Sequence, residues 1–365
     1  MKNILVFIFA ISVLQASAQQ PPAPDSARRR QQVPVGMVLP AQQVSVHDPV
    51  MIKQGNTFYL FCTGLGIGVW SSKDLQSWRK EAPVFGKPPK WAVDTIPGFR
   101  GHIWAPDISF HNGQYYLYYS VSAFGKNTSA IGLAVNKTLD SSSADFKWVD
   151  YGRVIQSYPG KTNWNAIDAN LIVDEKGVPY LAFGSFWDGL KMVRLTSDFL
   201  HPAEPVENIP TIASRKNASS DNNPPAVDNN PKDAGGNAIE APFIFKKGAY
   251  YYFFASTDYC CKGVKSTYKV IVARSKNISG PYFDKQGKDL RFGGGTLLLE
   301  GNKHWYGVGH NGICAADGKD YIVYHGYDAA DNGRSKLLIR ELVWDENGWP
   351  LTKNISAPSP NAQAQ

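Results

Sequence analysis

A pattern that recurs five times along the 365-residue chain limits its possible folds more than any other sequence feature. Each copy has a polar leading residue, an apolar stretch, a glycine turn, a run of aromatic residues and then a further apolar run. The leading residues are Asp48, Asp107, Asp168, Glu240 and His310. No helical periodicity continues over about twelve residues between them. Each copy therefore predicts a small antiparallel meander of strands.

The central strands of these copies would be apolar on both faces, so both faces need cover from water. Radial stacking provides that cover, and five copies then form an all-β, five-bladed β-propeller whose first strands line a central channel. The 13% of aromatic residues, with 33 glycines and 24 prolines, suits strands and turns. A two-sheet sandwich is the alternative, but repeats of this period are not typical of it. The sequence predicts one propeller domain over residues 41–355.

The first forty residues are predicted to precede the fold. Residues 1–18 have the features of a secretory signal peptide: Lys2, an apolar run over residues 4–14, and small residues at 16–18 as a cleavage site. The apolar run is too short to span a membrane. Residues 19–40, rich in proline, glutamine and arginine, are predicted to be a flexible leader. We therefore expect a secreted or periplasmic protein with no membrane attachment after signal removal.

Charge and cysteine content argue against other classes of protein. The formal net charge is +7, but the basic residues are spread along the chain, so no nucleic-acid partner is predicted. Four cysteines are too few for a disulfide framework in a chain of this length. Cys62 and Cys314 lie in or beside apolar runs and are predicted to be small buried hydrophobic residues. For the neighbours Cys260 and Cys261, the sequence leaves a disulfide open.

In such a propeller, the five leading residues would bring four carboxyl groups and one imidazole to the channel. A single Asp near a turn usually caps backbone groups, but several together cost free energy unless some are protonated, paired or metal-bound. A glycosidase needs one protonated carboxyl group for the leaving oxygen and one ionised carboxylate. Trp104 and Trp187 could offer flat faces to sugar rings, although core packing is the commoner role of a single tryptophan. The pattern therefore favours a glycosidase.

Several short segments between residues 47 and 312 combine polar and aromatic residues in a distinctive order. They are His47-Asp48-Pro49, Trp104-Ala105-Pro106-Asp107, Asn165-Ala166-Ile167-Asp168, Gly184-Ser185-Phe186-Trp187-Asp188-Gly189, Ile239-Glu240-Ala241-Pro242, Asp258-Tyr259-Cys260-Cys261 and Gly309-His310-Asn311-Gly312. In this order they resemble glycoside hydrolase family 43 and, within it, the arabinan endo-1,5-alpha-L-arabinosidases. The Asn-Ala-Ile-Asp, Ser-Phe-Trp and Tyr-Cys-Cys segments favour the arabinanases over the xylosidases of that family.

The resemblance implies hydrolysis of alpha-1,5-linked L-arabinofuranose bonds in arabinan or arabino-oligosaccharides. It assigns Asp48 as the general base, Glu240 as the general acid and Asp168 as the pKa modulator. It also implies inversion at the reacting carbon, for which the carboxyl groups of Asp48 and Glu240 should be about 6.5–9.5 Å apart to hold a water. Asp107 has no catalytic role in the family pattern and is expected to be structural.

The same resemblance implies further contacts with substrate and an ion. Residues near the cleavage point are expected to contact arabinose, with two aromatic residues flanking them. His310 is expected to help hold a central calcium ion, largely through waters, because calcium prefers six to eight oxygen ligands. The expected contacts are Asn165, Ser185, Phe186 and Trp187, flanked by Trp104 and Phe124.

The mode of attack and two rival functions stay open at this stage. A polar stretch over residues 214–237 precedes Glu240 and is predicted to be a loop that could close one end of the groove. Internal cleavage and release of short products from an end are therefore both possible. The alternatives are a family 43 arabinofuranosidase or xylosidase, and a non-catalytic sugar-binding propeller. The last would predict loss of one of the three acids, and the chain retains all three.

Overall fold

The sheets of the structure follow the sequence repeats one for one. The computed structural model describes residues 33–206, 209–215 and 236–355. The predicted signal peptide, residues 1–18, and most of the polar stretch before Glu240 lie outside these ranges. The described residues form five antiparallel sheets of four or five strands, each sheet built around one repeat. The predicted five-bladed β-propeller is confirmed.

Blades 1 and 2 contain the first ten strands. They are β1 (Val38–Pro40), β2 (Val50–Gln54), β3 (Thr57–Cys62), β4 (Gly64–Leu65), β5 (Gly68–Ser72), β6 (Ser77–Glu81), β7 (His102–His111), β8 (Gln114–Val121), β9 (Ala130–Asn136) and β10 (Val149–Gln156). Blade 1 has the order β1-β6-β5-β3-β2, and blade 2 the order β10-β9-β8-β7-β4. Strand β1 lies within residues 19–40, the predicted leader, and pairs with β6 at the outer edge of blade 1.

Blades 3, 4 and 5 are four-stranded meanders in sequence order. Their strands are β11 (Asn170–Val173), β12 (Pro179–Phe183), β13 (Leu190–Arg194), β14 (Thr211–Ala213), β15 (Ile239–Lys247), β16 (Tyr250–Thr257), β17 (Lys269–Ser275), β18 (Thr296–Leu299), β19 (Trp305–Ala316), β20 (Lys319–Asp328), β21 (Arg334–Trp344) and β22 (Pro350–Asn354). The first strands of the five blades contact one another in a closed ring, β2-β7-β11-β15-β19. They therefore surround the channel as predicted.

The fourth strand of each blade was not part of the predicted meander. These outer strands are short or largely exposed, and they lack the continuous apolar run that marks the inner three. A half-exposed edge strand needs no such run because water satisfies its outer face. The outer strands are β6, β10, β14, β18 and β22.

Helical structure is minor. The chain divides into two units, residues 1–34 and 35–365, and all of the strands belong to the second. In the described ranges the only α-helix is α1 (Lys90–Thr95), and no helix there is long and apolar enough to cross a membrane. Short 3-10 helices occur at Ala41–Gln43, Gly263–Lys265, Leu290–Phe292 and Ala329–Asp331.

Apolar side chains fill the wedges between neighbouring blades. Phe61 of β3 and Leu117 of β8, for example, belong to one cluster and are almost fully buried. Burying a side chain of this size contributes roughly 1.5–3 kcal/mol to the free energy of folding. Blade 5 closes against blade 1, where the Leu337 N–H donates to the Val44 carbonyl oxygen over 2.9 Å. The ring thus closes by packing and hydrogen bonds, without a strand shared between blades 1 and 5.

Five residues at the channel have a left-handed backbone, and we refer to them as the junction residues. They are Asp48, Ala105, Asp168, Ala241 and His310, with φ of 51°, 40°, 59°, 55° and 54°. Three lie at register shifts in the first strands of their blades. Such bulges bend a strand and redirect a side chain, which is why they occur beside active sites.

A polar side chain from the preceding blade accepts the N–H of most junction residues. The residues opposite the start of each first strand, here named the strand-end residues, are Thr63, Ser120, Gly184, Ser256 and His325. Four junction N–H groups donate to them: Ala105 to Thr63 (2.8 Å), Asp168 to Ser120 (3.0 Å), His310 to Ser256 (2.8 Å) and Asp48 to His325 (3.2 Å). Gly184 has no side chain, so the N–H of Ala241 bonds elsewhere.

The repeat register differs from the prediction in two blades. The junction residue of blade 2 is Ala105 rather than Asp107, and that of blade 4 is Ala241 rather than Glu240. Bulges in β7 and β15 move the junction position along each strand, and no periodicity in the sequence reveals these bulges. Asp107 is buried and accepts hydrogen bonds from Asn170 Nδ2 (3.2 Å) and the Leu171 N–H (2.7 Å). Burial raises its pKa to about 7, and its contacts are structural, as expected.

Replacing Gly189 by Ala is expected to destabilise the fold by about 3 kcal/mol. Gly189 has φ of 84°, and a Cβ atom there would overlap the Ala213 carbonyl oxygen of β14. Gly177 is the matched control, because it has φ of 80° and open space around a Cβ atom. Gly177→Ala should cost only the backbone term, about 1 kcal/mol. Chemical denaturation of both variants measures the difference, and equal losses would contradict the packing argument.

Candidate active site

Four predicted site residues meet at the channel: Asp48, Asp168, Glu240 and His310. The charge of His310 acts on both aspartates, and the charge of Glu240 acts on Asp168 and His310. Asp168 and Glu240 are buried, with 6% and 8% of their surface exposed. The side chains of Asp48 and His310 keep 16% and 14% exposed. The fold thus gathers residues from blades 1, 3, 4 and 5 around one partly open space.

Asp48 is held as an ionised carboxylate. The Thr63 hydroxyl donates to its Oδ2 over 2.5 Å, and His310 Nδ1 lies 3.0 Å from its Oδ1. His47 Nδ1 lies 3.6 Å from the same oxygen. Burial would raise the pKa of Asp48, but the charge of His310 and hydrogen bonds from His310 and His47 hold it well below its usual range. The carboxylate therefore stays charged and fixed in orientation.

His310 is the charged partner of Asp48. Burial would lower its pKa, but the charge of Asp48, a hydrogen bond to Asp48, and the charges of Asp168 and Glu240 raise it to about 9. Its backbone N–H is bound to Ser256 at the junction with blade 4. At neutral pH the site thus contains an ion pair of Asp48 and His310, which offsets part of the repulsion among the acids.

Asp168 and Glu240 form the second half of the site. Ser185 Oγ donates to Glu240 Oε2 over 2.7 Å, and the two residues also form a backbone bridge. Asp168 Oδ2 accepts the N–H of Ala241, the residue after Glu240, over 3.1 Å. Burial raises the pKa of Asp168 to about 8, with further increases from the charges of Glu240 and Asp48. Asp168 therefore retains its proton at neutral pH.

The structure adds residues that the sequence analysis missed. His325 is fully buried, and burial together with the charge of His47 lowers its pKa well below the usual range, so it is neutral. Its Nδ1 accepts the Asp48 N–H, and its Nε2 lies 3.3 Å from the Tyr327 hydroxyl. Thr63 supports the same aspartate. The sequence signal for both is the polar residue that directly follows the aromatic run in most repeats.

Tyr268 also approaches the acids. Its ring is buried and packs over Gly309, where a Cβ atom would overlap it. Burial and the charges of Glu240, Asp168 and Asp48 raise its pKa well above the usual value. Its hydroxyl is therefore protonated at neutral pH.

The predicted sugar contacts are divided between the site and its rim. Asn165 and Trp187 are buried, and Asn165 Oδ1 and Trp187 Nε1 have no hydrogen-bond partner among the described residues. Phe186 is half-buried and lies against Tyr259, with 6.0 Å between ring centroids. The half-buried Trp104 donates its indole N–H to His102, and Phe124 is 82% exposed. Ser185 contacts Glu240.

The four cysteines comprise two free thiols and one disulfide-bonded pair. Cys62 and Cys314 are buried free thiols, as predicted, and burial raises the pKa of each to about 12. Cys260 and Cys261 form a disulfide. The Cys261 N–H donates to the Tyr327 hydroxyl over 2.7 Å, so this pair adjoins the histidines near Asp48.

Side chains around Asp48 do not fit a directly bound calcium ion. The described residues that could hold a metal there are His47, Asp48 and His325, which supply two imidazoles and one carboxylate. Calcium takes six to eight oxygen ligands. The His325 Nδ1 atom already accepts a backbone N–H, and His310 is protonated and paired with Asp48. Calcium at His310 stays a prediction.

An ionised carboxylate grouped with a protonated carboxyl group and a third acid, at the channel of a propeller, is typical of a glycoside hydrolase. Residues 39–350 match the sequence profile of Glycosyl hydrolases family 43. The chain belongs to this family. All seven segments quoted above lie within the matched residues.

Several relatives span nearly the whole matched region. The chain is 52% identical over 310 residues to an extracellular exo-alpha-(1->5)-L-arabinofuranosidase of Cellvibrio japonicus, covering 85% of this chain and 87% of that protein. It is 43% identical to an extracellular endo-alpha-(1->5)-L-arabinanase of Bacillus subtilis, covering 84% and 87%. Among solved structures, the alpha-L-arabinanase of Cellvibrio cellulosa complexed with arabinohexaose has a TM-score of 0.79 at 50% identity, covering 86% and 96%.

Proposed function

We propose that this enzyme hydrolyses alpha-1,5-linked L-arabinofuranose bonds in arabinan and arabino-oligosaccharides with inversion of configuration. The observation that carries the proposal is the grouping of Asp48, held as an anion, with Glu240 and with Asp168, whose raised pKa keeps it protonated at neutral pH. The substrate class is supported by relatives that are named for these bonds. All three acids needed for the reaction are present.

Asp48 acts as the general base. Its Oδ2 is engaged by Thr63 and its Oδ1 by His310, so the carboxylate has a fixed orientation while remaining partly open to solvent. A water bound beside it loses a proton to Asp48 as its oxygen attacks the anomeric carbon. The lowered pKa of Asp48 keeps the base ionised before each turnover. General base catalysis and general acid catalysis each raise the reaction rate about 10²–10⁴-fold.

Glu240 acts as the general acid and Asp168 as its modulator. The bond between the anomeric carbon and the leaving oxygen breaks while Glu240 donates a proton to that oxygen. Asp168 lies beside Glu240 through the Ala241 N–H, and the charge of Glu240 is one of the causes that raise the pKa of Asp168. The water attacks from the side opposite the leaving group, so an α-linkage gives a β-product. The next proton comes from solvent.

Sugar binding is assigned first to residues whose buried polar atoms have no hydrogen-bond partner among the described residues. Asn165 and Trp187 have buried polar atoms that hydroxyl groups of an arabinose ring can satisfy. Phe186 supplies an apolar face beside them, and Trp104 and Phe124 flank the groove. Export from the cell is part of the proposal, because both named relatives are extracellular and residues 1–18 have signal-peptide features.

Product analysis on linear, debranched arabinan tests this proposal. Proton NMR within the first minutes should show the β-anomer as the first reducing end, since inversion of an α-linkage produces it. A first-formed α-anomer would contradict inversion. Chromatography over time separates the modes of attack: early fragments of intermediate length mean internal cleavage, and one short product throughout means attack from an end. Preference for a xyloside or a single arabinofuranoside would select the alternative activities.

A further inference from the structure

The junction between blades 3 and 4 is built differently from the other four. Elsewhere a strand-end side chain accepts the junction N–H, through Thr63, Ser120, Ser256 or His325. Here the strand-end residue is Gly184, whose φ of 126° and crowding by the Gly189 carbonyl oxygen exclude a side chain. The N–H of Ala241 therefore bonds to the carboxylate of Asp168. At this junction the carboxylate of Asp168 thus takes the place that a strand-end side chain has at the other four.

The next residue, Ser185, also contacts one of the acids of the site. It is 4% exposed, and its hydroxyl donates to Glu240 Oε2, which belongs to a residue that is 8% exposed. A backbone bridge between Ser185 and Glu240 sets the approach, and the Phe186 N–H donates to the Ile239 carbonyl oxygen over 2.9 Å. Ser185 is thus bonded to Glu240 through both its main chain and its side chain.

We propose that Ser185 is a positioning residue for Glu240, rather than a sugar contact. A serine hydroxyl has one proton, and here it is committed to Oε2. The proton of the acid then resides on Oε1, and the carboxyl group cannot turn about its last torsion, which is otherwise soft and nearly two-fold. The hydrogen bond therefore presents one defined oxygen to the leaving group. This inference rests on the proposed role of Glu240 as the acid.

Ser185→Ala tests the inference through its dependence on the leaving group. On linear arabinan, whose leaving oxygen needs a proton, we expect kcat to fall about 10- to 100-fold with KM nearly unchanged. On aryl glycosides of α-1,5-arabinotriose, the loss should shrink as the phenol becomes more acidic. With dinitrophenol, which leaves without a proton, it should be under threefold. Ser185→Thr keeps the hydroxyl and should restore most of the activity on arabinan.

Ser256→Ala is the matched control, because the Ser256 hydroxyl is also a buried partner at a junction but accepts the N–H of His310 on the base side. Any loss it causes should be the same for all leaving groups. Circular dichroism and thermal unfolding of every variant, measured alongside the kinetics, show whether it is folded. If Ser185→Ala has a folding defect, the activity of Ser185→Thr on arabinan decides whether the hydroxyl positions Glu240.

Three results would overturn the positioning role of Ser185. They are an unchanged kcat in Ser185→Ala, a loss of equal size for every leaving group, and a raised KM with normal kcat, which would make Ser185 a sugar contact. Failure of the proposed function itself is seen separately, as full activity of Glu240→Gln on arabinan.

Discussion

Replacing Glu240 by Gln is expected to lower kcat on linear arabinan about 1,000-fold, because the amide has the shape of the acid but no proton to donate. The Gln oxygen can still accept the Ser185 hydrogen bond, so the local structure should persist. Aryl arabinotriosides with dinitrophenol as leaving group need no proton and should lose less than about tenfold. Steady-state kinetics on both substrates measures the contrast.

A matched Glu→Gln control is available at Glu81, which lies on β6 in blade 1 and accepts a hydrogen bond from Ser71 far from the acids. Glu81→Gln should retain kcat on arabinan within about twofold, as surface changes away from a site usually do. Full activity of Glu240→Gln on arabinan would refute its role as the acid. A uniform loss on both substrates would mean that Glu240 serves binding or structure instead.

Replacing Asp48 by Gly is expected to lower kcat about 10,000-fold for every leaving group, since the attacking water loses its base. Glycine accepts the backbone conformation, because Asp48 has φ of 51°, and it leaves the space of the carboxylate open. Azide needs no deprotonation and can occupy that space. With dinitrophenyl arabinotrioside, added azide should restore turnover and give the β-configured glycosyl azide, which NMR identifies.

The configuration of that azide decides between mechanisms. An α-azide would contradict inversion, and the absence of rescue together with a normally folded Asp48→Gly variant would contradict attack from the side of Asp48. Glu240→Gln provides the comparison: azide should not restore its activity on arabinan, because the missing step there is proton donation to the leaving oxygen.

The blade number and the inner strands were predictable because each blade repeats one apolar pattern that must be covered on both faces. The outer strands were not, since a half-exposed edge leaves no periodic signal. The register of Asp107 against Asp48 was wrong by two residues because a bulge in β7 moves the junction to Ala105. A bulge depends on the neighbouring strand, and the sequence of one strand does not reveal it.

In the site, the grouping of Asp48, Asp168, Glu240 and His310 followed from the repeat, and the roles proposed for them come from family resemblance. Their partners did not. Thr63 and His325 act on Asp48 from different blades, at sequence separations of 15 and 277. Their place at the end of an aromatic run recurs in the repeats, but nothing local shows which of the residues at that place contact Asp48. The protonation of Asp168 likewise depends on burial and on charges that only the folded ring brings together.

The closing contact between the last blade and the first has a consequence for how activity arises during biosynthesis. Asp48 is synthesised early, yet two of its three imidazole neighbours, His310 and His325, belong to the blade that is made last. Until that blade docks, the Asp48 carboxylate lacks the charge of His310 and its N–H lacks its acceptor, His325. We therefore expect a nascent chain, or one clipped before its last blade, to have no hydrolytic activity.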